Sequence, residues 1–487
     1  MHPATPSSAT LAYASASGGQ AWRPAVTSGS GDGYRAVKAC IWIYFWLLII
    51  EGALRKWIVP GLANPLIVVK DPVVLAAYFF AIKSGRFPRN GFVTSILLLG
   101  CVTFGTAIIG YASGVTQGNF LVAAYGARTN FLYFPFIFLM ADALGPEDLK
   151  KIGKWLLIIS LPMAFLVAAQ FRGGPEDWVN KGTGEGVGGQ MMAAVGDKTR
   201  AAGLFAYNTG LATYLSLVAA FLVNHFLRGR VYGGKLAMAA TFAVAGSALL
   251  SASRSTTLSI VVVIAAGAFC VWMQPKFFKG SVWLAVALLV VAVIFASSRT
   301  VREGMSVLGE RFESADGLKV GILGRTASGF TGAFDSLGAH GIIGAGLGVG
   351  TNAGSAMLTG QRVFLLAEGE WDRVLAEVGP VLGLAFIFYR IVLVWHLFRK
   401  ALAALRAGET LAMLLFGMCA LIVLNGQLGT ATTLGFAAFG AGLCLAAAKE
   451  QAVPEDATSM ALMEQVVPRK ARGRSAYAER LHSGRGV

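Results

Sequence analysis

Five ionisable residues, Glu368, Glu370, Asp372, Arg373 and Glu377, crowd into the stretch LAEGEWDRVLAEVGP, which leads straight into the apolar run VLGLAFIFYRIVLVWHLF. A carboxylate at such a boundary can take a proton from a hydroxyl once desolvation raises its affinity for that proton. A guanidinium remains charged at any relevant pH and presents a planar fork of donors that suits phosphate oxygens. Glu370, Arg373 and Glu377 stand at i, i+3 and i+7, so in a helix beginning near residue 368 they share one face, with Trp371 and Val374 pointing elsewhere. The same spacing also suits a plain ion pair on a helix surface.

The chain that must position these groups is strongly apolar. Of its 487 residues 55% are hydrophobic and 14% charged, against about 25% charged in a soluble globular protein. Runs close to the ~20 residues that carry a helix across a bilayer recur from about residue 39 to residue 448. They predict an all-α polytopic membrane protein of about twelve transmembrane helices, over 36–54, 64–82, 91–112, 121–142, 152–171, 204–226, 235–252, 256–273, 281–298, 378–398, 410–425 and 431–448. Residues 1–35, rich in Ser, Ala, Gly and Pro and without the make-up of a cleaved signal peptide, read as a disordered tail. Residues 36–448 form the membrane domain, and 449–487 a basic tail suited to anionic headgroups.

Loop charges orient the bundle. The even-numbered connections carry Lys83, Arg86 and Arg89, then Lys150, Lys151 and Lys154, then Arg228, Arg230 and Lys235, then Lys276 and Lys279, then Arg399, Lys400 and Arg406. By the positive-inside rule these are cytoplasmic, as are both termini. The net charge of +16, spread over short loops and the C-terminal tail, is explained by orientation better than by nucleic acid. The far side holds two long connections, 172–203 and 299–377, the second between helices nine and ten; connections of that length are usually functional.

On that outer side, against the loop bias, sit Glu51, Arg55, Lys56, Lys70, Asp71, Arg128, Arg200, Arg254, Arg325, Arg362 and Arg373. Arginine at membrane depth costs about 2.5–3.5 kcal/mol on insertion scales, and such residues mostly face a cavity, a partner or a ligand. Each alone suits a snorkelling or salt-bridged structural charge. As a set they point to a site for an anionic ligand.

The run SLGAHGIIGAGLGVGTNAG has glycines near a dinucleotide-binding spacing but no preceding strand, so a flexible loop or a close helix approach is the better reading. Its His340 is the one outer histidine, structural or a candidate base. The five cysteines lie in apolar runs and read as small hydrophobes. No P-loop, HExxH or Ser-His-Asp set appears, and neither a metal nor a cofactor is implied. Chemistry on the outer face must then draw its driving force from the substrate, as a pyrophosphate-linked lipid allows.

Several segments resemble the O-antigen ligase and O-antigen polymerase superfamily of bacterial membrane glycosyltransferases. They are the span plan with its long loop after helix nine, the ASRS element at 252–255 and the run E-x-E-W-x-R-V-L-A-E-x-G at 368–379. EGALRKWIVPGLANPLIVVKDP (51–72), YGARTNFLYFPFIFL (125–139), AQFRGGPEDWVNKG (169–182) and RAAGLFA (200–206) are similar to its polymerase-like branch, associated with exopolysaccharide clusters. The resemblance covers most of 40–448.

It implies metal-independent transfer of a glycan from undecaprenyl pyrophosphate to an acceptor hydroxyl at the periplasmic face of the bacterial inner membrane. Arg128, Arg200, Arg254 and Arg325 would hold the pyrophosphate, and Glu368, Glu370 and Arg373 would be catalytic, with His340 an alternative base. Ligases commonly open the helix after the large loop with His-Asn, nine residues before the Glu of a Leu-Ala-Glu-x-Gly run. Here Leu375, Ala376, Glu377 and Gly379 match that run, but Glu368 and Gly369 fill the pair. A polymerase of lipid-linked repeat units is the leading expectation. Its alternatives are a ligase to a lipid A core, a flippase of an anionic glycolipid and a non-catalytic scaffold. Expected partners are the lipid-linked oligosaccharide, membrane lipid and chain-length or export proteins, with no nucleic acid.

Overall fold

A computed structural model describes residues 30–183, 199–229, 231–296, 298–313, 341–361 and 363–449. Both predicted tails beyond these bounds, and Arg325, His340 and Arg362, lie outside the described residues. Among the described residues the architecture is all-helical, with no β-strand. A backbone in hydrocarbon must satisfy its own N–H and C=O groups, and a helix does so within one segment.

The first half of the chain forms α1 (Ser30–Ala53), α2 (Asp71–Lys83), α3 (Gly91–Ala112), α4 (Phe120–Ala127), α5 (Phe134–Ala143), α6 (Pro146–Arg172) and α7 (Asn208–Arg228). Then come α8 (Gly234–Leu250), α9 (Arg254–Met273), α10 (Phe278–Ala296), α11 (Arg299–Glu313), α12 (Asn352–Thr359), α13 (Glu370–Arg406), α14 (Leu411–Asn425) and α15 (Ala431–Lys449). Among the described residues nine helices are long and apolar enough to cross a membrane, and α8 and α14 are shorter apolar ones. The chain is a multi-pass membrane protein.

Burial sorts the helices. In α7 and α15, 94% and 83% of the most apolar stretch is covered by protein, against 17% in the segment containing α10. So α7 and α15 form the centre, packed on α9, α5 and α14, while Trp283, Leu289 and Val293 of α10 are exposed to the surrounding apolar phase.

Three runs are not straight, and each departure carries charge. The run 121–142 is broken: α4 ends in a π-turn, Arg128–Leu132, before α5 begins. Pro135 explains it, since its ring would crowd the Phe131 carbonyl and it has no N–H to continue the ladder. The neighbouring Leu132 carbonyl accepts the Tyr78 hydroxyl at 2.6 Å. Likewise α1 passes into a π-turn, Leu54–Ile58, which carries Arg55 and Lys56 and stops before Pro60.

The third is α13, which starts at Glu370 rather than near 368 and contains Gly379 at φ 77°, ψ 171°. There the helix folds into a short limb, 370–378, and a long limb, 380–406. The limbs touch: a Cβ on Gly383 would lie 2.8 Å from Leu375 Cδ2. Pro380 has no N–H, so the Ala376 carbonyl loses its helical partner. The Ala345 N–H fills that place at 2.8 Å, and the Gly346 N–H reaches the Glu377 carbonyl at 2.9 Å.

From residue 341 on, the glycine-rich run is thus a close approach, wedged between the apex of α13 and the segment before α4, where the Gln117 N–H donates to the Ala345 carbonyl at 2.8 Å. Gly346 sits at φ +126°, and a Cβ there would meet the Gln117 carbonyl at 2.3 Å. Gly346→Ala is expected to destabilise the protein by about 1–3 kcal/mol or more, read as a lowered melting temperature in detergent. Gly61→Ala, where a Cβ meets nothing within 4 Å, should leave it unchanged.

Candidate functional site

The fold-back of α13 brings together residues that a straight helix would hold about 30 Å apart. Arg390, on the long limb, donates from Nη1 to Glu370 Oε1 at 2.9 Å. Its Nε and Nη2 donate to the Val423 and Gly426 carbonyls at 2.8 and 3.0 Å, closing the end of α14. Arg373 also reaches Glu370, from Nε at 3.1 Å and from Nη2 at 3.0 Å. Its Nη1 pairs with Glu377 at 2.7 Å. Glu377 Oε1 accepts the Gly350 N–H at 3.0 Å, and Asn130 on the α4–α5 π-turn accepts from Arg373 Nη2 at 3.1 Å.

The expected shared face of Glu370, Arg373 and Glu377 is therefore realised. It points into protein, however, where all three and Arg390 are at most 4% exposed. Two acids and two bases balance. Desolvating each ion costs several kcal/mol, offset only by pairing this close.

Two further clusters stand at helix ends. In one, Asp71 pairs with Arg128 Nε at 2.7 Å and accepts the Tyr133 hydroxyl at 2.5 Å. Arg128 also donates to the Ile67 carbonyl at 3.2 Å and lies over the rings of Tyr125 and Tyr133. In the other, Glu51 pairs with Lys70 at 2.6 Å and with Arg55 at 3.5 Å. Beside it the fully buried Lys56 donates to the Gly203 carbonyl at 3.3 Å. Gln170 holds Gly203 in place from both sides, accepting its N–H at 2.8 Å and donating to its carbonyl at 3.1 Å. Among the described residues Lys56 has no carboxylate partner.

Two narrow clefts adjoin at Asn352, Gly429 and Thr430. One, of about 20 Å³, is bounded by Glu368, Glu370, Arg373, Thr351 and Gln427. The other, of about 30 Å³, is bounded by Arg55, Tyr125 and Tyr207. Each has room for a water or two. Asn352 Oδ1 is buried with no hydrogen-bond partner among the described residues.

Of the carboxylates singled out by spacing, Glu370 is held by two arginines. Glu368 is exposed and lines the first cleft, anchored by its own carbonyl, which accepts from Gln427 Nε2 at 2.9 Å. Its carboxylate makes no ion pair among the described residues. Arg373 forms part of the cleft wall but is committed to Glu370 and Glu377, and Arg128 is committed to Asp71. Arg200 and Arg254 are half-buried. Arg254 opens α9 next to Ser253, which accepts from Asn208 Nδ2 at 3.3 Å.

Sequence reasoning passed over Arg390, Asn130, Tyr133 and Gln170. Arg390 carried a usable signal, as a lone arginine inside an apolar run. The other three are polar residues whose partners lie far away in the chain. No protein-family model matches this chain, and no curated protein matches it at a significant level.

The network makes a double-mutant test direct. Arg390→Met is expected to cost about 3–5 kcal/mol, because it leaves buried charge uncompensated. Combining it with Glu370→Gln should cost clearly less than the sum of the two single changes. Thermal unfolding in detergent measures the four proteins of the cycle, and strict additivity would refute the pairing.

Proposed function

We propose that this protein is a metal-independent glycosyltransferase of the bacterial inner membrane that polymerises lipid-linked oligosaccharide repeat units at the periplasmic face. Twelve crossings make up its membrane domain: the nine long helices, α8, α14 and the broken pair α4–α5. Both termini and the basic loops face the cytoplasm. The 299–377 connection and the Glu368 cleft then face the periplasm, where a chain-length regulator or export protein would meet the product.

One observation carries this reading. An exposed carboxylate, Glu368, with no ion pair among the described residues, borders a cleft whose wall includes the charge-balanced ion network. A general base must reach its substrate and be free to accept a proton, and Glu368 meets both conditions where Glu370 meets neither. Glu368 takes the proton of the acceptor hydroxyl. The acceptor oxygen bonds to the anomeric carbon of the donor, and the bond from that carbon to the diphosphate breaks. The electron pair leaves on the lipid diphosphate, whose growing charge is met by outer cations.

Arg55 lines the second cleft and supplies part of that charge, with Arg200 and Arg254 completing the set. The clefts hold only a water or two, so the bulk of the donor lies outside them.

Glu368→Gln is expected to lower transfer about 10²–10⁴-fold with expression and melting temperature unchanged, because the side chain is exposed. Purified protein in liposomes with lipid-linked repeat units supplies the assay, and cells carrying the variant should accumulate single repeats on lipid. Wild-type levels of polymer from Glu368→Gln would remove the assignment of the base. Transbilayer movement of the wild-type substrate without bond cleavage would replace the transferase by a flippase.

A further inference from the structure

Another, wider cleft starts beside the Arg390–Glu370 pair and runs away from it toward the basic loops. It measures about 890 Å³ and opens between α3, α5, α13 and α15, within the roughly 300–1,000 Å³ usual for ligand sites. On α13 it extends from Ala385 to Lys400, about 22 Å at 1.5 Å per residue. That is close to the depth of one bilayer leaflet with its headgroup layer, half of about 40–45 Å.

Its walls are apolar, built from Phe92, Leu99, Phe138, Phe388, Val392 and Leu445. Its polar groups gather toward the end where the loops are basic. Lys400 is exposed and makes no ion pair among the described residues, and His396 lies further in. The one carboxylate there, Asp142, is taken by Lys449.

A second observation points to an occupant. Tyr389 lines the cleft and is 7% exposed, yet its hydroxyl has no hydrogen-bond partner among the described residues. A buried donor of this kind calls for an acceptor. The Phe92 ring lies between the two polar tips, 4.8 Å from the His396 ring and 6.1 Å from the Tyr389 ring. Cation, aromatic wall and deep donor thus follow one another along a single face of α13, in the order of the phosphate, the glycerol esters and the chains of a lipid.

We propose that this cleft binds one anionic glycerophospholipid of the leaflet on the basic-loop side. Its phosphate meets Lys400 and His396, an ester oxygen accepts from Tyr389, and its acyl chains lie along the Phe92, Leu99 and Phe388 wall. The length of the cleft matches a lipid of one leaflet rather than a long polyprenyl chain, and its mouth selects negative charge.

Native mass spectrometry of the full chain, released from detergent after incubation with phosphatidylglycerol or phosphatidylcholine of equal chain length, tests this. The wild type should retain phosphatidylglycerol at least fivefold over phosphatidylcholine. Lys400→Gln, a change at an exposed position, should cut that preference several-fold. Tyr389→Phe should weaken retention of both lipids to a similar extent, and Leu99→Trp should block retention while the protein stays monodisperse. Equal retention of the two lipids by the wild type would overturn the proposal. So would a preference unchanged in both Lys400→Gln and His396→Gln, or a polyprenyl phosphate that displaces phosphatidylglycerol at equal concentration.

Discussion

The contact between Glu370 and Arg390 exists because α13 turns back on itself at Gly379, and the ion network and the glycine-rich loop are arranged around that reversal. A helix that folds against itself in an apolar bundle exposes carbonyls that need donors. Here the donors are the N–H groups of Ala345 and Gly346, and the loop can come this close because Gly344 and Gly346 lack Cβ atoms. The loop in turn presents the Gly350 N–H to Glu377. Reversal, loop and ion network are one construction, and removing any part leaves buried polar groups of another without partners.

The buried charges differ in kind from a free cationic pocket. Asp71 answers Arg128, Glu51 answers Lys70 and Arg55, and Glu370 with Glu377 answers Arg373 and Arg390. Such arrangements add little net stability over apolar packing, but they fix geometry, since a charge moved off its partner is heavily penalised. They act as a stiff wall. Among the described residues Lys56 has no carboxylate partner and Glu368 no ion pair, so both stand apart from these balanced groups.

The wide turns at Leu54–Ile58 and Arg128–Leu132 serve the same end. Each adds a residue to a helical turn near a proline and carries charge, buried Arg55 and Lys56 in the first and half-buried Arg128 in the second. In a membrane, irregular backbone persists only where protein encloses it, which accounts for these turns lying beside the ion clusters rather than on the lipid-facing surface of α10.

Apolar runs of membrane-crossing length dictate helices in any tertiary setting, because hydrocarbon leaves the backbone no other way to satisfy itself. For that reason the sequence determined the all-helical, multi-pass character, the approximate helix positions and the common face of Glu370, Arg373 and Glu377. Local spacing could not reveal which way that face points, nor that residues 20 positions apart would meet, since a helix of that length keeps them far apart until Gly379 and Pro380 interrupt it. Tertiary structure decided that Glu370 is enclosed while Glu368 is open, that Arg128 and Arg373 are occupied, and that Arg390 belongs with them. Those outcomes depend on which distant carboxylate or carbonyl each charge finds once it leaves water, and that pairing is written in the packing of helices rather than in the order of residues.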